Sequence, residues 1–200
     1  IRNWESLAPW FSNLDERVIG SVTDLEQWLK DASELEAVIS EDACWRQIKM
    51  TCDTENKALE ESFNFFMMEI QPQIQPYSDK LNKKLLNCPF TSQLHPQKYF
   101  TYLRNVKKNI DIFREENIAI TAELNVMQQQ FGVISGKMTV EVNGQEYTLQ
   151  QAAKFLEDPD RSIREEVYHK INTRRLQDKQ ELNELFSSLL KKRHQVAVNT

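Results

Sequence analysis

The chain has 200 residues at 23.6 kDa, with 40% apolar and 28% charged side chains, which places it among folded globular chains and excludes a disordered one. Only 4 Gly and 6 Pro supply turns, too few for a many-stranded sandwich or barrel, which needs a turn signal about every ten residues. A net charge of −5 and a pI near 5.4 argue against a nucleic-acid partner, because phosphate binding demands a basic surface.

The acidity is local. Residues 1–60 carry 6 basic and 13 acidic side chains, whereas residues 101–200 carry 15 and 14, so the first helical stretch presents an acidic face. Cys44, Cys52 and Cys88 form no CxxC pair and cannot all pair with one another, which fits a reducing cytosol. The greasiest run, from Phe63 to Met68, is far shorter than the ~20 residues that span a bilayer. No basic stretch leads into an apolar signal segment, so no membrane partner is expected. The chain opens on Ile1 and closes on Val198-Asn199-Thr200 without a helix stop signal, and both ends are expected to be cut from a longer protein.

Residues 1–22 read as an irregular lead-in whose apolar hooks are Trp4, Leu7, Trp10, Phe11 and Leu14. Thr23 with Glu26 has the spacing of a capping box, and Leu25, Trp28, Leu29, Ala32, Leu35 and Ile39 then fall on one helical stripe that Trp45, Ile48 and Cys52 can extend. A second long helix is expected from Asp53 or Thr54, with Leu59, Phe63, Phe66, Ile70, Ile74, Tyr77, Leu81 and Leu85 at steps of three and four. Pro72 and Pro76 inside it remove backbone donors and predict a kink near residues 71–76. His95-Pro96 opens the next helix, carried by Tyr99, Leu103, Val106, Ile110 and Phe113, and a further helix is expected from Asn117 to a stop at Gly132.

Lys137 to Val142 alternates, Asn143-Gly144 supplies a tight turn, and Glu146-Tyr147-Thr148 returns, which predicts a β-hairpin over about residues 137–148. Thr148 with Gln151 repeats the capping box. Asp158-Pro159 opens a final helix whose stripe runs through Ile163, Val167, Ile171, Leu182, Leu185, Leu189 and Val196 to the end of the chain. The fold class is therefore mainly α: an antiparallel bundle of long helices with one small hairpin. Its parts are the lead-in (1–22), a long-helix bundle (23–116), and a helix, hairpin and long C-terminal helix (117–200).

Chemistry is sparse. The three histidines, His95, His169 and His194, form no HExxH, and only Glu166-Val167-Tyr168-His169 matches the Glu-x-x-His element of helical di-iron sites, without the second element such sites need. Gly132 to Met138 fails as a phosphate loop, since three residues separate its glycines and Met follows Lys137 where Ser or Thr must hold magnesium. Cys44 and Cys52 lack a histidine partner and read as small buried apolar groups. Arg174-Arg175 and Lys191-Lys192-Arg193-His194 each follow acidic positions on the same helix, Glu165-Glu166 and then Asp178, Glu181 and Glu184, and read as a solvated face. Phe63, Phe65, Phe66, Met67 and Met68 cover more than one helix face, the pattern of deep burial, with an exposed partner-binding surface as the alternative.

From Asn143 to Leu156, and again over Asp158-Pro159-Asp160-Arg161 and Arg164-Glu165-Glu166, the sequence resembles the N-terminal region of the oligoendopeptidase F family. The similarity extends to Asp24–Leu29, Leu35–Ala37, Asp42–Trp45, Pro72, Leu81–Leu85, Phe113–Ile118 and Lys192–Gln195, covering about residues 20–200. The resemblance implies a helical zinc metalloendopeptidase, similar to thimet oligopeptidase, that cuts oligopeptides in a deep channel. It implies zinc held by two His of an HExxH helix and a later Glu in a C-terminal catalytic domain, the motif's own Glu serving as base. None of those positions lies in this chain, so no catalytic, cofactor-binding or metal-binding residue is carried over. The chain is expected to form a channel wall, to be inactive alone, and to have the catalytic domain and oligopeptide substrates as partners. The rival reading is a non-enzymatic helical scaffold or interaction module.

Overall fold

The structure, a computed structural model, describes residues 1–200 and is mainly helical with a single two-stranded antiparallel hairpin. It divides into two units, Ile1–Glu123 with Val196–Thr200, and Leu124–Gln195. No helix is long and apolar enough to cross a membrane.

In the first unit a 3₁₀ turn (Trp4–Ser6) leads into α1 (Ala8–Glu16), with Pro9 in the first turn, where a missing N–H is no loss. The expected irregular lead-in thus contains a helix. Nine residues are too few for a helix to stand alone in water. Tertiary burial supplies the difference: Leu7, Phe11 and Leu14 are at most 4% exposed, and the rings of Trp4, Phe11 and Tyr77 lie with centroids 5.2–5.7 Å apart.

Helix α2 (Val22–Cys52) runs 31 residues, about 46 Å at 1.5 Å per residue. Ser21, two residues before the expected start, caps it by accepting from the Asp24 N–H at 3.1 Å. Leu25, Trp28, Leu29, Ile39 and Met50 are buried, while Trp45, Ile48 and Cys52, expected on the same stripe, are exposed. Twenty residues at about 100° each put Trp45 roughly 160° around the helix from Leu25, so the stripe continues through Met50 instead.

Asp53–Asn56 turns the chain into α3 (Lys57–Phe65), which passes through a π-helical turn (Phe66–Ile70) into α4 (Gln71–Asn87). The expected irregularity is real but sits a turn earlier than residues 71–76. Pro72 cannot bond the carbonyl four residues back and would press its ring against it, and the wider π turn, closed by the Gln71 N–H on the Phe66 carbonyl, relieves that clash. Helix α5 (Pro96–Ile112) starts as the sequence predicts, with His95 Nδ1 accepting from the Lys98 N–H at 3.3 Å. Leu25, Trp28, Phe66, Ile70, Leu85 and Val106 meet in the core of this unit.

Helix α6 (Glu116–Gly136) runs through Gly132, one turn beyond the expected stop. In the second unit β1 (Thr139–Val142) pairs with β2 (Gln145–Thr148), Thr139 opposite Thr148 and Val142 opposite Gln145. Asn143 and Gly144 take φ of 53° and 76°, the left-handed values that a tight hairpin turn requires. Val140 and Val142 face inward onto Ala152, Val167 and Ile171. The capping box at Thr148 forms in both directions and starts α7 (Leu149–Ala152). Asp160, instead of Asp158, caps α8 (Arg161–Gln177), and Asp158 accepts from the Asp160 N–H. The expected continuous last helix is interrupted at Asp178, which takes an ion pair from Arg174, before α9 (Lys179–Asn199).

Candidate functional site

The sequence candidates do not converge. Glu166 pairs with Lys170 at 2.6 Å, His169 lies edge-on to the Tyr168 ring, and His95 is committed to capping α5. No group of three or more His, Cys, Asp or Glu side chains is placed to hold a metal ion. The segment from Gly132 to Gly136 is helical and cannot cradle a phosphate. Cys44 and Cys52 are exposed, against the expectation of burial, because their α2 positions face away from the packed stripe, and Cys88 is half-buried. Of the Phe/Met run, Phe63 and Phe66 are buried whereas Phe65 and Met68 are about 40% exposed, so burial claims one face only.

Two cationic side chains fasten the first unit. Lys84 of α4 donates to the carbonyls of Leu14, Asp15 and Arg17 at 2.5–2.8 Å, capping the C-terminus of α1, where the helix dipole favours a cation. Trp28 Nε1–H donates to the same Leu14 carbonyl at 2.8 Å, and the Lys84 ammonium lies 5.8 Å from the centre of the Trp28 ring. Burial holds Lys84 below the usual lysine pKa, only partly offset by Asp15. Arg46 of α2 donates to Asp42 at 2.7 Å, to Ser62 Oγ and O on α3 at 2.9 and 3.0 Å, and to the Ile1 carbonyl at 2.6 Å. Neither cluster contains a nucleophile with a base, so the chemistry of both is positioning.

The concave feature with an aromatic lining is a groove along α2. One cavity of ≈ 600 Å³ lies between α1 and α2 and includes Trp10, Glu34 and Val38, and a second of ≈ 540 Å³ continues past Val38 to Glu41, Trp45 and Lys49. Arg17 hydrogen-bonds Asp31 across the first cavity and, with Gln27, holds its carboxyl below the usual range. At Asp42 burial pushes the pKa up, but its hydrogen bonds, that from Arg46 foremost, outweigh it and leave the carboxyl low. A more polar basin of ≈ 650 Å³ lies in the second unit beside Leu176, Asn183, Ser187 and Lys191. Sequence reading missed the α2 groove by assigning Trp45 to the core; the angular phase of α2 was the signal available to find it.

Against known proteins, residues 1–113 match the family described as the peptidase M3 N-terminal domain. No curated protein matches the sequence. Among solved structures, the fold is similar to an oligoendopeptidase F from Bacillus anthracis strain Ames, with a TM-score of 0.89 and 20% identity over 98% of this chain and 36% of that one. A second oligoendopeptidase F structure gives 0.88 and 21%, and an inhibitor complex of PZ peptidase A gives 0.88 and 20%, each over 98% of this chain and 35% of the other. The chain thus spans about a third of the length of the structures it matches.

Proposed function

The chain belongs to the peptidase M3 N-terminal domain family, and from that premise we propose that it is the helical N-terminal part of an oligoendopeptidase F-like zinc metalloendopeptidase that hydrolyses short peptides inside a channel. The observation that carries this reading is the likeness of 98% of the chain to roughly a third of peptidase structures. In it the chain contributes a channel wall. The catalytic domain, with an HExxH helix and a later Glu, lies outside residues 1–200, and zinc, when bound there, supplies a polarised water. This chain contributes positioning side chains. Their part is to hold the wall rigid through the Lys84 and Arg46 clusters. Three free cysteines support a cytosolic setting.

The reading is tested on the parent gene and protein. The reading frame beyond Thr200 is expected to encode HExxH and a downstream Glu, and its product is expected to cleave a fluorogenic oligopeptide in a zinc-dependent way. The 200-residue chain is expected to cleave none and to bind no stoichiometric zinc. A parent frame without HExxH, or hydrolysis by the chain alone, overturns the proposal.

A further inference from the structure

We propose that the α2 groove of the first unit binds an extended cationic oligopeptide, with Glu34 and Glu41 receiving its Lys or Arg side chains and Trp10, Val38 and Trp45 covering its apolar ones. The two adjoining hollows share Ile1 and Val38 and open to solvent along α2, a shape that suits an extended guest lying on the surface. Their charges are not balanced. Asp31 is taken by Arg17, and Asp42 by Arg46, whereas Glu34 and Glu41 form no ion pair and only Lys49, at the far end, opposes them.

Three apolar residues on the same face stay in water: Trp10 is 64%, Val38 56% and Trp45 53% exposed. An exposed indole beside a carboxylate is a site for a guanidinium or ammonium, which the ring face attracts while the carboxylate takes the hydrogen bonds. Spacing selects the shape of the guest. Glu34 and Glu41 are two helical turns apart, about 10 Å. In a polyproline-II-like peptide, residues three apart share a face and lie about 9 Å apart, so an Arg-x-x-Arg pattern spans the two carboxylates. Charge also argues against a second copy as the occupant, since an isologous contact would set Glu34 and Glu41 against their own images. The inference does not rest on the peptidase reading, because binding is read directly.

The test uses the purified chain and a dye-labelled peptide with two Arg-Leu-Pro repeats, followed by anisotropy and tryptophan emission. The peptide is expected to bind, its counterpart with Glu for Arg is not, and binding is expected to weaken as salt rises. Glu34→Gln with Glu41→Gln, and separately Trp45→Ala, are each expected to weaken binding on the order of tenfold while leaving helicity unchanged. Glu34→Lys with Glu41→Lys is expected to reverse the preference toward the Glu peptide, a gain that a misfolded chain cannot show. Equal affinity for both peptides, or no response to the Gln pair, overturns the proposal. So does concentration-dependent dimerisation lost in Trp45→Ala without peptide binding, which assigns the groove to a second copy.

Discussion

The two units are held together by different physics. In the first, large side chains from α1, α2, the π turn, α4 and α5 share one core, with Leu25 and Phe66 fully buried and Trp28 at 2% exposure. Its polar fasteners join residues far apart in sequence: Lys80 to Asp15, Lys84 to Leu14 and Tyr99 to Glu26 span 65, 70 and 73 residues. In the second, Val140, Val142, Ala152, Val167 and Ile171 form a smaller core with Tyr147, Leu149, Phe155 and Ile163 packed against it, and its fasteners are nearer in sequence, from the Thr148 capping box to the Lys170 and Arg174 bonds to the Glu141 and Lys137 carbonyls, 29 and 37 residues away. Apolar burial contributes roughly in proportion to area, so the first unit is expected to be the more stable and the second to open more readily.

The comparison is testable, because all four tryptophans, Trp4, Trp10, Trp28 and Trp45, lie in the first unit and report on it alone. The largest effect is expected from Trp28→Ala, which removes a buried indole and its hydrogen bond to Leu14 and costs about 3–5 kcal/mol. Urea unfolding followed by far-UV circular dichroism checks it, and a loss below 1 kcal/mol would show that the core does not depend on this ring. Next comes Lys84→Met, which keeps the apolar stem but strips three carbonyls of a donor, with an expected loss of about 1–3 kcal/mol. Hydrogen exchange should then rise first at the α1–α2 junction.

Gly144→Ala probes the second unit. A Cβ there meets nothing within 4 Å, so only the φ of +76° resists it, at about 1–2 kcal/mol. Amides of residues 139–148 are expected to exchange faster while tryptophan emission stays unchanged; a shift in that emission would mean the units unfold as one.

The smallest effect concerns acid. Glu26 is held below its ordinary pKa chiefly by the Tyr99 hydroxyl, Asp31 chiefly by Arg17, and Asp42 by hydrogen bonds, that from Arg46 foremost, against the opposing effect of burial. Folded pKa values below the unfolded ones give stability that is full above the ordinary carboxylate range near 4 and is lost as pH falls through the folded values. Glu26 and Asp31 face solvent, so salt should screen much of this. Tyr99→Phe is expected to raise the Glu26 pKa in an NMR titration, and an unchanged midpoint would remove the hydroxyl as the cause.

The same contrast explains what could be read in advance. The hairpin, its Asn143-Gly144 turn, the Thr148 box and the His95-Pro96 start of α5 are contests between neighbouring residues, and each appears where the sequence placed it. The displaced π turn and the choice of Ser21 over Thr23 are local as well, but decided by small differences between adjacent candidates. What failed depended on distant partners. Residues 8–16 became helical because Tyr77 and Lys84 meet them, and the α2 groove exists because α1 lies beside α2 and leaves Trp10, Val38 and Trp45 exposed along it.

By itself, then, the sequence determined a helical chain with one hairpin and a family resemblance, since periodicity, caps and turn residues act over a few positions. Tertiary structure alone decided that the first residues are a helix and that Lys84 and Arg46 are fasteners. Burial and charge pairing at those positions are set by residues tens of positions away, which no local pattern encodes.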